Sequence, residues 1–130
     1  MEALVHAKLS VAKNGGHVDD YLPIHEFIDS SKFHVADARH RALLHSSFGL
    51  DLAMQVFGSY IEIEHDNHTK KVSVKSIVED HIIQDLGKIP SVQDYLQHMK
   101  IETWMSGPTY RRTTHVRFLP KPIPQELLDN

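Results

Sequence analysis

Residues 35–56 read Val-Ala-Asp-Ala-Arg-His-Arg-Ala-Leu-Leu-His-Ser-Ser-Phe-Gly-Leu-Asp-Leu-Ala-Met-Gln-Val. This is the longest segment with helical periodicity in the chain. On a 3.6-residue wheel Val35, Ala38, Ala42, Gly49, Leu52, Ala53 and Val56 share one broad face. The small residues Ala38, Ala42 and Gly49 let a neighbouring helix approach closely. Phe57-Gly58 ends the run. A helix with such a face has to bury it against others, which predicts a mainly α fold.

The flanks supply the partners. Residues 2–13 carry Leu4, Ala7, Leu9, Val11 and Ala12 at helical spacing, and Asn14-Gly15-Gly16 is a left-handed stop. Asp19 and Asp20 offer an N-cap for a short helix to about Ser31, with Pro23 tolerated close to its start. Downstream, 60–64 and 72–74 alternate apolar and polar residues around a polar loop, which reads as a β-hairpin. Ile77, Val78, Ile82, Ile83 and Leu86 make a further helix, stopped at Gly87. Ser91 caps a last one to about Met99, with Tyr95 and Leu96 inward. The expectation is four to five helices in a small bundle with one β-hairpin, over residues 1–100. Residues 101–130, with four of the six prolines and Trp104, Tyr110, Val116 and Phe118, read as an extended arm that crosses the body or reaches a second subunit to form a homo-oligomer.

Hydrophobic residues are 41% and charged residues 24%, ordinary values for one soluble domain. A formal charge of −3 disfavours a general nucleic-acid binder. The basic and aromatic run at 110–117 is too short to reverse that reading. No cysteine is present, which excludes a disulfide framework and thiol catalysis. No apolar run approaches the roughly 20 residues of a membrane span. The start Met-Glu-Ala-Leu-Val-His lacks a basic region and an apolar core, so a cytoplasmic protein is expected.

Histidine is the unusual component, with 11 in 130 residues. Imidazole with carboxylate and no thiolate is the ligand set of a zinc, manganese or non-haem iron site. His25 and Asp29, at i, i+4, share a helix face, and His81 and Asp85 repeat that pairing. Asp37 and His40 show the carboxylate-x-x-His spacing that helical bundles use for metals. His45 lies beside Ala38 and Ala42 and points inward, and His6 projects from the first helix. The expected ligands or their close supports are His6, His25, Asp29, Asp37, His40, His45 and His81, around a divalent metal, iron or zinc in preference to manganese. A metal-free network of buried polar residues is the plainer alternative. His17, His65 and His68 read as solvated, and His98 and His115 have no carboxylate at helical spacing. Glycine-rich phosphate loops, nucleophile elbows and His-Glu-x-x-His motifs are absent.

The runs 20–29, Ser31-Lys32, 37–42, His45, His81 and 85–96 together resemble a small uncharacterised family, a domain of unknown function in bacteria and bacteriophages. The resemblance covers roughly residues 4–99. His6, Gly15, Gly16, His25, Asp29, Lys32, Asp37, Arg39, His40, Arg41, His45 and His81 match its pattern, and it implies no activity. A weaker similarity is to HD-type metal-dependent phosphohydrolases, although the body is short for that fold.

These readings converge on a metal-binding protein, with hydrolysis of a phosphoester as the reaction if it is an enzyme. Asp29 would relay the proton, Lys32 would assist, and Arg39 and Arg41 would hold the anionic group of a phosphate-containing small molecule. A non-enzymatic iron or zinc protein and a metal-free interaction module are the alternatives.

Overall fold

The computed structural model describes residues 1–108; the basic run at 110–117 and most of the expected arm lie outside the described residues. The chain divides into a unit Met1–Met99 and a second unit from Lys100 onward. Of the second, the described part holds one 3₁₀ turn, Thr103–Ser106.

The first unit is mainly α. It contains six α-helices and one hairpin: α1 (Ala3–Asn14), α2 (Val18–Asp29), α3 (Arg41–Leu44), α4 (Ser47–Phe57), β1 (Tyr60–His65), β2 (His68–Ser73), α5 (Val74–Leu86) and α6 (Val92–Leu96). Short 3₁₀ turns at Ser30–Phe33 and Ala38–His40 link α2 to α3. None of these helices is long and apolar enough to cross a membrane.

Helix α1 stops where Gly15, at φ 86°, returns its N–H to the Val11 carbonyl at 2.8 Å. Asp20 then accepts from the His17 backbone N–H at 2.7 Å, and α2 runs on to Asp29. Pro23 sits further inside α2 than its ring would prefer. It removes a bond only to the carbonyl of Asp19, an exposed residue, so water can replace it. In the hairpin, Asp66 and Asn67 take positive φ of 51° and 64°, giving a two-residue turn closed by His65 and His68. The polar loop is therefore shorter than the sequence suggests. Ile63 and Val72 point from the two strands into the core.

The core is a single cluster. Tyr21, Ile24 and Ile28 of α2 meet Val74, Ile77, Val78 and Ile82 of α5, with Ala7, Leu50 and Ala53 filling between. These residues fall at i, i+3, i+7 in α2 and at i, i+3, i+4, i+8 in α5, one face of each helix.

The expected continuous helix over 35–56 does not form. The backbone leaves helical geometry at His45 (φ −85°, ψ 62°) and Ser46 (φ −156°, ψ 170°). Ser46 is an N-cap: its Oγ accepts from the Gly49 N–H at 3.2 Å and starts a new helix. The break is tied down from outside. The Tyr95 hydroxyl donates to the His45 carbonyl at 2.8 Å, and the Ser47 N–H donates to the Pro90 carbonyl at 3.0 Å. Ala38 and Val56 are consequently exposed, while Gly49, Leu50 and Ala53 form the buried face of α4. Helix α6 is also shorter than expected, ending at Leu96, which is exposed.

Gly49 is required by contact. A Cβ at this position would overlap the backbone carbonyl of Leu44. Gly49→Ala should therefore cost about 1–3 kcal/mol of unfolding free energy, read as a lower urea midpoint at unchanged slope. The strain would fall on the residue before His45. A midpoint equal to wild type would show that the turn between α3 and α4 can relax freely.

Candidate metal centre

The buried stripes of α1, α2 and α5 turn polar at one end. Helix α1 brings His6 and Ser10, α2 brings His25 and Asp29, and α5 brings His81 and Asp85. The turn after α3 adds His45. The rings of His6, His25, His45 and His81 are fully or almost fully buried. Side chains on three helices and one turn thus meet at one place.

Four atoms face one another there. His81 Nε2 lies 3.3 Å from Asp29 Oδ1 and 3.3 Å from Asp85 Oδ2. His45 Nε2 lies 2.9 Å from Asp85 Oδ2 and 3.5 Å from Asp29 Oδ1. A tetrahedral ion with bonds of about 2.0–2.1 Å holds neighbouring donors about 3.3 Å apart, so these separations suit one ion. These four residues could hold a metal ion, and His6, His25 and His81 form a second such group that shares His81.

Hydrogen bonding decides which nitrogen of His81 carries a proton toward His25. The Ser10 hydroxyl donates to the His6 carbonyl at 3.1 Å, so its oxygen accepts from His25 Nε2 at 2.8 Å. Burial, reinforced by His81 and His6, lowers the His25 pKa to about 3, so the ring is neutral and its Nδ1 is an acceptor. Nδ1 of His81, 2.8 Å away, must be the donor. Nε2 of His81 then faces two carboxylate oxygens, an arrangement that needs a cation, either a proton or a metal, between them.

The electrostatics point the same way. Asp29 is the last residue of α2 and Asp85 lies in the last turn of α5, and neither helix has a basic residue in that turn. Helix C-termini carry partial negative charge, so two carboxylates have been placed where cations are favoured. Burial raises both carboxyl pKa values, but the hydrogen bond with His81 (for Asp29) and with His45 (for Asp85), helped by nearby positive groups, leaves each below its usual value. Burial lowers His45 to about 4 against the opposing bond to Asp85, so it too is neutral. Asp29 Oδ2 and His45 Nδ1 are buried without a hydrogen-bond partner. An orphaned carboxylate oxygen beside four converging donors is a group that a cation would satisfy. At the rim, Lys32 Nζ stands 3.9 Å from Asp29 Oδ2 and the Met1 amino group 3.3 Å from Asp85 Oδ1.

The sequence-predicted residues fall into three places. His25, Asp29, His45 and His81 meet at the cluster, and His6 joins them, its ring stacked on His81 with centroids 3.6 Å apart. Nitrogens of His6 reach Gln84 Oε1 at 2.6 Å and Asp85 Oδ1 at 3.1 Å. His40 stands beside the cluster, its ring 5.6 Å from that of His45 and its Nδ1 3.0 Å from Ser31 Oγ. Asp37 is not brought to the cluster. It is exposed and paired with Arg39, whose Nε and Nη2 donate to it at 3.0 and 2.7 Å. Those bonds hold the Asp37 carboxyl down at about 2. The expected i, i+3 pairing of Asp37 with His40 fails because Asp37 is an extended N-cap, outside any helix.

Asp85 and Ser10 are the residues that ligand-by-ligand sequence reading leaves out. Asp85 shows as the i, i+4 partner of His81 and continues the buried stripe of α5. Ser10 had no signal beyond its place one turn after His6.

No curated protein and no solved structure matches the chain. Residues 1–105 match the family described as a domain of unknown function, DUF6915, and the chain belongs to that family.

Proposed function

We propose that this is a metal-binding protein in which Asp29, His45, His81 and Asp85 ligate one divalent ion, zinc or ferrous iron. The observation that carries the reading is Nε2 of His81 set between two carboxylates at two helix C-termini. Two imidazoles with two carboxylates suit borderline ions, and donor separations of 2.9–3.5 Å favour tetrahedral zinc. His25 and Ser10 fix the His81 tautomer, the role that outer hydrogen bonds to ligating histidines commonly play. His6 packs against His81 and Asp85, its ring stacked on His81 and its Nε2 3.1 Å from Asp85 Oδ1.

One observation favours a catalytic use. Asp29 also lines a cleft of about 500 Å³ together with Glu26, Lys32 and Phe33, so one side of the centre meets open space. A bound divalent ion supplies Lewis acidity and lets water act as a nucleophile near neutral pH. Asp29 Oδ2, having no partner, is placed to accept the proton, and Lys32 to face an anionic substrate. Metal-dependent hydrolysis is the reaction class that this geometry serves.

Elemental analysis of tag-free protein, purified without added metal or chelator, tests the centre. Near-integer zinc or iron per chain is expected, lost in His45→Ala with helicity retained. Failure to take up zinc, iron or manganese after metal addition would leave the cluster as a metal-free polar network.

A further inference from the structure

We propose that the cleft beside the metal centre, lined by Lys32, His40 and Arg41, is a binding site for a phosphoryl group. Only the adjacency to a metal rests on the reading above; the oxyanion site stands on its own residues.

The cleft measures about 300 Å³, and its other lining residues are Ala36, Asp37 and Ala38. Two alanine methyls leave the mouth open. The single carboxylate in the lining, Asp37, is already engaged by Arg39 through three side-chain contacts of 2.7–3.1 Å. That pair cancels its own charge and removes Arg39 from the anion-binding set.

Among the described residues neither Arg41 nor Lys32 makes a side-chain hydrogen bond. Arg41 Nε is buried, and among the described residues no carboxylate lies within ion-pair distance of its guanidinium. Buried donors are rarely left unpaired, so this one calls for an acceptor that the described residues do not supply. Lys32 is half-exposed, and its nearest carboxylate oxygen, at 3.9 Å, is too far for a hydrogen bond. His40 spends Nδ1 on Ser31, which leaves Nε2 for a ligand. Burial lowers the His40 pKa first, and the charges of Lys32 and Arg41 lower it further, so both cations act on the same ring.

Three donors from three points of the chain suit a tetrahedral oxyanion better than a planar carboxylate, which one guanidinium satisfies alone. The cleft is joined to the centre twice, through Lys32 to Asp29 and through the His40 ring to the His45 ring. The two buried carboxylates repel an anion until a metal offsets them. Binding should therefore be measurable without metal and tighter with it.

Titration of inorganic phosphate into the full chain, followed by calorimetry, tests this in chelator-treated and zinc-loaded protein. Lys32→Ala and Arg41→Ala should each weaken phosphate binding about 10-fold, the scale of a lost charge-assisted bond, with Lys75→Ala, an exposed cation outside the cleft lining, unchanged. Lys32 is half-exposed, so its variant tests the site even if Arg41→Ala folds poorly. Zinc content should stay at the wild-type level in the Lys32 and Lys75 variants. Equal affinity in wild type and Lys32→Ala, or no phosphate binding by a protein that holds stoichiometric zinc, overturns the oxyanion site and leaves the metal reading intact. Phosphate binding that depends on Lys32 in a protein that takes up no zinc sinks the metal reading alone. A parallel titration with phenyl phosphate separates the sources: tighter binding than inorganic phosphate assigns the cleft to a substrate phosphoryl group, and weaker binding assigns it to free phosphate.

Discussion

Asp85→Asn should bind no zinc and still fold. Asp85 Oδ2 faces both His45 Nε2 and His81 Nε2, so the carboxylate is shared by the two imidazole donors. An amide of the same shape keeps one acceptor oxygen and places its N–H among the same nitrogens. It removes the negative charge that a cation needs. Metal stoichiometry should drop from near one to near zero.

The thermal consequence is large and has a sign. A ligand present at 100 to 1,000 times its Kd adds about 2.7–4.1 kcal/mol to the folded state. For a domain of this size that raises Tm by roughly 10–20 °C. Wild-type protein should show that rise on adding zinc, and Asp85→Asn should show none. Without metal the variant should be the less stable of the two. It loses the charge of Asp85 opposite His45, His6 and the Met1 amino group, so its metal-free Tm should lie below that of metal-free wild type. Calorimetry of the four samples measures all of this. An Asp85→Asn protein that keeps its zinc, or a wild type whose Tm zinc does not move, would remove Asp85 from the ligand set. His81→Gln is the companion variant, because it loses the ligand without touching a charge.

The contrast between Asp85 and Asp37 shows what the sequence makes legible. Within α2 the buried stripe runs Tyr21, Ile24, His25, Ile28, Asp29, and within α5 it runs Val74, Ile77, Val78, His81, Ile82 before reaching Asp85. Polar residues that interrupt an apolar stripe of period 3.6 are visible in one dimension, because the helix itself sets which residues point inward. His25, Asp29 and His81 were readable for that reason, and Asp85 follows by the same rule. Asp37 and His40 carried an equally regular spacing, but spacing has meaning only inside a helix, and the chain there is an extended cap followed by a 3₁₀ turn. The decisive information was the pair Ser46-Ser47, where a side-chain cap outcompetes continuation of the helix. Its stabilising contacts come from Pro90 and Tyr95, more than forty residues away, and no local pattern reports them. His45 nonetheless points inward, held there by the break and not by a wheel position. The chain Ser10–His25–His81 depends on side-chain rotamers across three helices, so it becomes readable only in three dimensions.

Metal-free protein should lose stability steeply as pH falls from about 6.5, well above the range in which carboxylates titrate. His25 and His45 are held neutral in the fold, with pKa values of about 3 and about 4 against 6.5 for a free imidazole. Their folded values are depressed, so below 6.5 the unfolded chain takes up protons that the folded chain refuses. Stability therefore falls with pH until each folded pKa is reached. At pH 5 each ring should cost on the order of 2 kcal/mol, at about 1.4 kcal/mol per unit of pH. Asp29 and Asp85 act in a different window. Their folded pKa values lie below 3.8, so their contribution is complete above that value and is lost only as pH falls further. The fall between pH 6.5 and 5 thus belongs to the buried imidazoles. Urea unfolding of chelator-treated protein should show a lower midpoint at pH 5 than at pH 7 with the slope unchanged. His25→Gln, which keeps a neutral hydrogen-bonding side chain toward Ser10 and His81, should remove on the order of 2 kcal/mol of that difference. A midpoint that does not move between pH 7 and pH 5 would mean that these rings protonate freely in the folded state, and the tautomer chain from Ser10 through His25 to His81 would fail with it.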